Sequence, residues 1–472
     1  MIICLVIEGS YPYITGGVAS WVYQLISGLS EFQFKIISIM PTCSEELNIR
    51  YEYPPNLLEI KTLFLDDYLN LPKRIIKKKI SLSKEEKEQL KKFIELDPEV
   101  SWEMLFKLFS ARKLGTAIDF LESKIFWDLI VDYYEKNYGE SIFNTFFWTE
   151  RNMLLPLVHL LQQETLQVDI YHAVSTGYAG ILGVALKHWH KKPLILTEHG
   201  IYAREREEDI LKAKWVTGIY KKLWIRFFYF ISTAPYKSSD EIVTLFQKNS
   251  EIQINLGAPR EKTVVIPNGV DNSKFDIINR EHDGYNIGSI VRVTPIKDVM
   301  TLIRAFKIVK ENIEGVKLYI IGPTDEDPDY YSDCVNLVKM LNLENDIVFT
   351  GRANVLDYFS ILDVLVLTSI SEAQPLVILE GMSAGLPFVA TEVGGCKELL
   401  ERDEYEGACG LVGNLVSPND TALNIMRILM NPKKSQEMSE NGKKRARRAY
   451  GLNNLLNRYG DLYNEVWERW QE

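Results

Sequence analysis

Glu372 and Glu380 stand at the two ends of "EAQPLVILE", where five of the seven residues between them are aliphatic or alanine. A carboxylate in such surroundings is costly unless it is paired or liganded. The segment therefore asks for a partner. "DVLVLTS" before it reads as a strand, and Pro375 with "LVILEGMSAG" reads as a helix opening on a proline in its first turn. Glu372 then lies in a strand-to-helix loop and Glu380 inside the helix. Between them the amides of Leu376 and Val377 are free to meet an anion. Carboxylates accept hydrogen bonds well from vicinal hydroxyls. A ligand with hydroxyls at both ends and phosphates in the middle fits this pattern, which is the description of a nucleotide sugar.

Three further stretches could serve the same chemistry. "VRVTPIKD" puts Arg292 and Lys297 in a loop after another strand, where two cations could neutralise a diphosphate and stabilise it as a leaving group. "YPYITGGVASWV" puts Gly16 and Gly17 at the opening of the first helix, where backbone can approach a phosphate. It is neither GxGxxG nor a Walker loop. "LTEHGIYARERE" puts His199, flanked by Glu198 and followed by Arg204, at the end of a third strand. His172, in "DIYHAVSTG", reads instead as a satisfied core histidine. No HExxH, GxSxG or Cys/His cluster is present, and "DEDPD" reads as a solvated loop, so no metal and no cofactor is expected.

Residues this far apart meet only if the fold gathers them. In a doubly wound α/β domain, ligands bind at the carboxyl ends of the strands. "MIICLVIEG", "FKIISIM", "VDIYHAV" and "PLILTEHG" read as continuous apolar strands of one parallel sheet. "TVVIPNGV", "YNIGSIVRV", "VKLYIIGP", "DIVFTGR", "DVLVLTS" and "PFVATEVGG" form a second series. The class is α/β, with two Rossmann-like domains facing a cleft: residues 1–271 and 272–450. A helical insertion at about 67–167 interrupts the first. A terminal helix, 451–472, carries an apolar face suited to packing back on the first domain.

Bulk composition narrows the class. The 472 residues are 46% hydrophobic and 25% charged, with a formal net charge of -10. That balance argues against a nucleic-acid binder held by bulk charge. The five cysteines are scattered and never spaced as CxxC, which reads as free thiols in a reducing, cytoplasmic setting. No apolar stretch is long and uncharged enough to span a bilayer. The best attempt, "LWIRFFYFISTAPY", is broken by Arg226. "KRIIKKK" (73–79) and "KKRARR" (443–448) are basic runs that could dock on a partner or read as solvated faces.

The second half resembles glycosyltransferase family 4, a retaining family of GT-B fold. The residues that carry this are "IPNGVD", Arg292 with Lys297, and "GRANVLDYFSILDVLVLTSISEAQPLVILEGMSAGLPFVATEVGGCKEL". "IEGSYPYITGGVASWVYQLI" and "LTEHGIYARERE" narrow the resemblance to the PelF-like branch, which acts in Pel exopolysaccharide synthesis. The resemblance implies a UDP-sugar donor, a polysaccharide acceptor and synthase or export subunits at the inner membrane. It implies that Glu372 binds the donor sugar, Glu380 the ribose, Arg292 and Lys297 the diphosphate, and Gly17 the β-phosphate. His199 would sit beside the transferring sugar, and Gly351, Arg352 and Ala353 would hold the base. Gln374-Pro375 departs from the Phe-Gly that many members carry at those places. A UDP-sugar epimerase of the same fold, or a non-catalytic nucleotide-sugar sensor, remains an alternative on the residues alone.

Overall fold

Parallel strands buried on both faces run through the first unit's core, and helices supply most of the side chains packed on them. The computed structural model describes residues 1–42, 47–70, 81–110, 113–275 and 284–472; the basic run 73–79 lies outside them. The first unit comprises Met1–Thr244, Asn249–Val265 and Tyr459–Glu472. Its strands are β1 (Ile2–Glu8), β2 (Gln33–Met40), β3 (Leu57–Phe64), β4 (Ile170–Ala173), β5 (Leu194–Glu198), β6 (Glu241–Thr244) and β7 (Thr263–Val265). They form one parallel sheet in the order β3-β2-β1-β4-β5-β6-β7. β1, β4 and β5 are apolar almost throughout because helices cover both faces.

Between β3 and β4 the chain departs into helices, at Lys84–Ile94, Trp102–Ser110, Ala117–Leu121, Lys124–Asn137 and Phe143–Leu160. Local chemistry starts two of them. Ser83 and Thr116 each accept from the third helical amide, while Glu86 and Asp119 reach back to the cap amide. Phe93, Phe106, Phe109, Phe120 and Phe126 join these helices to the core of the sheet.

The second unit comprises Leu245–Lys248 and Ile266–Arg458. The division therefore falls at Val265–Ile266, before the polar stretch that the sequence suggested. Its strands are β8 (Tyr285–Ile290), β9 (Val316–Ile321), β10 (Ile347–Gly351), β11 (Val364–Leu367), β12 (Phe388–Thr391) and β13 (Gly410–Gly413). They are parallel in the order β10-β9-β8-β11-β12-β13. This is the doubly wound arrangement, with its switch point between β8 and β11.

Two expectations need correction. Thr263–Val265 was expected to open the second series but closes the first sheet, pairing with β6. A three-residue edge strand followed closely by Pro267 carries too little pattern to name its sheet. The run Lys443–Arg448 is a basic face only in part: Lys443 and Lys444 are exposed, but Arg445 and Arg448 are engaged. Arg445 is 1% exposed and donates to the carbonyls of Leu399, Glu401, Glu406 and Gly407 at 2.6–3.3 Å. Arg448 is ion-paired with Asp403 and Glu406.

The C-terminal helix, Leu452–Gln471, contributes its last residues to the first unit. There His172, fully buried on β4, hydrogen-bonds Tyr463 at 2.7 Å and Thr197 at 2.8 Å, and Thr197 also bonds Tyr459. Burial pushes the His172 imidazole down to about 3, so it is neutral and structural.

Arg445 generates a test of the second unit. Arg445→Ala leaves buried carbonyls without donors and removes one of the two guanidiniums beside Asp403 and Glu406. The expected loss is about 3–5 kcal/mol of stability in urea unfolding. A change below about 1 kcal/mol would remove Arg445 from this role.

Candidate active site

In the second unit, the loops after β8 and β11 meet at the carboxyl edge of the sheet. Thr368, at the end of β11, donates to the carbonyls of Lys297 and Asp298 at 3.1 and 3.0 Å. Ile370 N donates to Ile296 O at 2.8 Å. This stitching brings Lys297 Nζ to Glu372 Oε1 at 2.5 Å, and Ser369 Oγ donates to the same oxygen at 2.6 Å. Both side chains are largely enclosed, 16% and 11% exposed. The sequence suggested separate duties for these two residues; the structure joins them as a pair.

The loop that carries Glu372 is clamped from beneath. Gln374 is buried. Its Oε1 accepts from Asn268 N at 2.7 Å and its Nε2 donates to Leu245 O at 3.1 Å. Gly395 N donates to Ala373 O at 2.8 Å. Gly394 has φ +51, and a Cβ there would collide with the carbonyls of Glu372 and Ala373. Gln374, Gly394 and Gly395 had no assigned role in the sequence. The signal was visible only in part, as a Gly-Gly pair directly after a strand.

Pro375 is the N-cap residue, ahead of the helix Leu376–Ala384 and not within its first turn. Ile378 N bonds back to Pro375 O, which leaves the Leu376 and Val377 amides as the open N-terminal donors. Glu380, one turn on, is half-buried and accepts no hydrogen bond among the described residues. Burial pushes its carboxyl up to about 7, with Lys274 opposing.

Arg292 takes a different position from Lys297. It is 55% exposed and paired with Glu326 at 2.7 Å. Gly351 ends β10 at φ +66, and its carbonyl accepts from Gly322 N. Arg352 and Ala353 follow on the exposed side, with Arg352 paired to Asp325 at 3.2 Å.

In the first unit, the expected residues part company. Gly16 and Gly17 cap and open the helix Gly17–Gly28 on an exposed surface. Neither lies in the left-handed φ region, and a Cβ on either would meet nothing within 4 Å. Glu198 turns inward and is 1% exposed. It accepts from Thr176, Tyr202 N, Tyr236 and Gln253 at 2.6–3.0 Å. Four donors saturate the carboxylate, so it is a structural hub and not an acceptor open to a ligand. His199 points to the other side, with its ring 4.8 Å from that of Trp21. Its enclosed Nε2 has no partner among the described residues. Burial pushes His199 down to about 4, so it is neutral at pH 7. Arg204 is exposed on the helix Tyr202–Lys212.

Comparison with known proteins decides the family. Residues 1–261 match a domain family described as a domain of unknown function (DUF3492), and residues 271–445 match the glycosyl transferases group 1. An uncharacterised glycosyltransferase of Methanocaldococcus jannaschii is 30% identical over 282 residues, 58% of this chain and 70% of that protein. The chain belongs to the group 1 glycosyl transferases and carries the DUF3492 domain. This glycosyltransferase is also 28% identical to the UDP-Gal:alpha-D-GlcNAc-diphosphoundecaprenol alpha-1,3-galactosyltransferase of Escherichia coli, over 66% of this chain and 79% of that protein. Anabaena HepE, solved in complex with UDP, superposes with a TM-score of 0.61 at 14% identity, covering 98% of this chain and 100% of that one. The fold is thereby GT-B, with two Rossmann-like α/β units.

The raised carboxyl of Glu380 makes a pH prediction. Between its ordinary value of 4.5 and about 7, the folded chain keeps a proton that the unfolded chain has released. Stability should fall as pH rises through that window. Glu380→Gln removes this dependence. The melting temperature of the variant relative to wild type should rise from pH 5 to pH 8; a constant difference would show that Glu380 is not desolvated.

Proposed function

We propose that this glycosyltransferase takes its sugar from a UDP-sugar bound in the second unit, with retention of configuration, and passes it to a growing exopolysaccharide of the Pel type. The observation that carries the donor reading is the enclosed Lys297–Glu372 pair beside the open amides of Leu376 and Val377, with the unpartnered Glu380 in the same helix. The Escherichia coli relative uses UDP-Gal by name, and HepE was solved with UDP. Both support uridine as the nucleotide. The transferred sugar would be a hexose or an N-acetylhexosamine.

In this reading Glu380 accepts from ribose hydroxyls and Glu372 from the donor sugar, its position held by Lys297 and Ser369. Lys297 lies close enough to Glu372 to pass between the carboxylate and the diphosphate. Arg292 must leave Glu326 to join it. Gly16 and Gly17, which neither φ nor packing requires, leave backbone bare for the β-phosphate. His199, neutral and with an enclosed but unpartnered Nε2, would turn it to a sugar hydroxyl. Gly351, Arg352 and Ala353 would meet the base. Retention has the acceptor attack from the face that UDP leaves, with the departing β-phosphate taking its proton, so no side-chain nucleophile is required. The work is positioning and charge stabilisation. The Pel-type acceptor and synthase or export subunits at the inner membrane rest on the PelF-like resemblance.

Two measurements test this. A thermal-shift panel of nucleoside diphosphates and UDP-sugars should single out uridine. A ligand at 100 times its Kd adds about 2.7 kcal/mol of stability. An equal response to guanosine or adenosine diphosphate would overturn the nucleotide. Lys297→Ala should lower turnover about 10²-fold or more, on the scale of a lost preorganised donor. Arg292→Ala should cost less, because its exposed starting position makes its contribution conditional on rearrangement. Near-normal turnover in Lys297→Ala would end the assignment.

A further inference from the structure

The most exposed apolar side chains of the first unit include a group at one elbow, between the helices Tyr202–Lys212 and Ile219–Ser238. Trp215 is 71% exposed, Leu211 56% and Ile219 45%. Lys221 Nζ donates to Leu211 O at 2.6 Å and closes the elbow. The Trp215 ring lies edge-on to that of Trp224, 5.7 Å away, which holds it outward. Tyr220 Oη donates to Ile142 O at 3.2 Å, bringing a fourth exposed apolar residue, 72% exposed, beside them. Isolated surface hydrophobes need no explanation, but a contiguous set with a polar rim does.

The rim is basic. Lys212, Lys214 and Lys222 are exposed and Lys221 is half-exposed. From Ile210 to Ser239 the chain contains no Asp or Glu. Of the four acids of the preceding helix, Glu207 accepts from Tyr229, Glu208 pairs with Lys212 and Asp209 with Arg206, while Glu205 lies six residues before Leu211. In a chain of net charge -10 this is a local reversal of sign. The elbow also stands clear of the sheet. Tyr236 meets Glu198 at the end of β5, and the helix from Ile219 to Tyr236 measures about 25 Å at 1.5 Å per residue.

We propose that this elbow docks on the surface of an acidic bilayer, with Trp215, Leu211 and Ile219 entering the headgroup boundary and the lysines meeting lipid phosphate. Tryptophan favours that depth, and lysine gains from an anionic surface. A second copy is the poorer occupant, because a two-fold contact would set these lysines against themselves. The inference does not depend on which sugar is transferred.

Co-sedimentation of the full chain with vesicles tests it. Binding to phosphatidylglycerol-containing vesicles should exceed binding to pure phosphatidylcholine vesicles by about tenfold and weaken with salt. Trp215→Ser with Leu211→Ser, and separately Lys214→Glu with Lys222→Glu, should each reduce it about tenfold. Unchanged melting temperatures and an unchanged response to UDP would show that both variants stay folded. Failure of wild type to bind either vesicle overturns the proposal, as does binding that neither pair of substitutions alters. Binding to native membranes but to neither protein-free vesicle would assign the elbow to a membrane protein and overturn the lipid reading.

Discussion

An enclosed ion pair is expensive, and the second unit is arranged around one. Lys297 and Glu372 come from loops 75 residues apart and are nearly withdrawn from water. Desolvating two charges can cost more than their attraction returns unless other bonds hold the geometry. The surrounding backbone supplies them. Thr368 fixes the loop of Lys297 through two carbonyls, and Thr391 Oγ1 holds Ser369 O at 2.6 Å. Gln374 and Gly394–Gly395 hold the other loop. Each fastening is polar and satisfied, so the pair is kept by position and not by apolar packing.

This arrangement explains the acid at each end of "EAQPLVILE". The two carboxylates live in different circumstances although eight positions apart. Glu372 has a cation and a hydroxyl. Glu380 has no hydrogen-bond partner among the described residues, and burial, opposed by the charge of Lys274, raises its proton affinity. Two like groups driven apart by their surroundings can serve different contacts without exchanging roles.

The long apolar strands could be read from the sequence, because a strand covered on both faces shows itself as an unbroken apolar run. β3 could not, since Glu59 and Lys61 interrupt it at the sheet's edge; β6 (EIVT) opens on an acid and β13 (GLVG) is bounded by glycines, so neither shows an unbroken apolar run. At the site, the residue types were legible but their partners were not. Nothing local in "VRVTPIKD" says that Lys297 meets Glu372 while Arg292 meets Glu326. That choice depends on which loop ends share a sheet edge and on how far each side chain reaches. Gln374 looked like a departure from a family pattern; its work becomes visible only when Asn268 and Leu245 are folded beside it.

Glu198 and His199 show the same limit within two consecutive residues. At the end of a strand, neighbours point to opposite sides. One of the two must turn into the protein, and "TEH" does not say which. The carboxylate took the inward place, where four donors await it; the imidazole took the side beside Trp21. Burial then keeps His199 uncharged at neutral pH. A neutral imidazole can bond a hydroxyl but offers no counter-charge to a phosphate. The positive charge that a diphosphate demands must therefore come from other side chains, and Lys297, already held in place by Glu372, needs the least rearrangement to provide it.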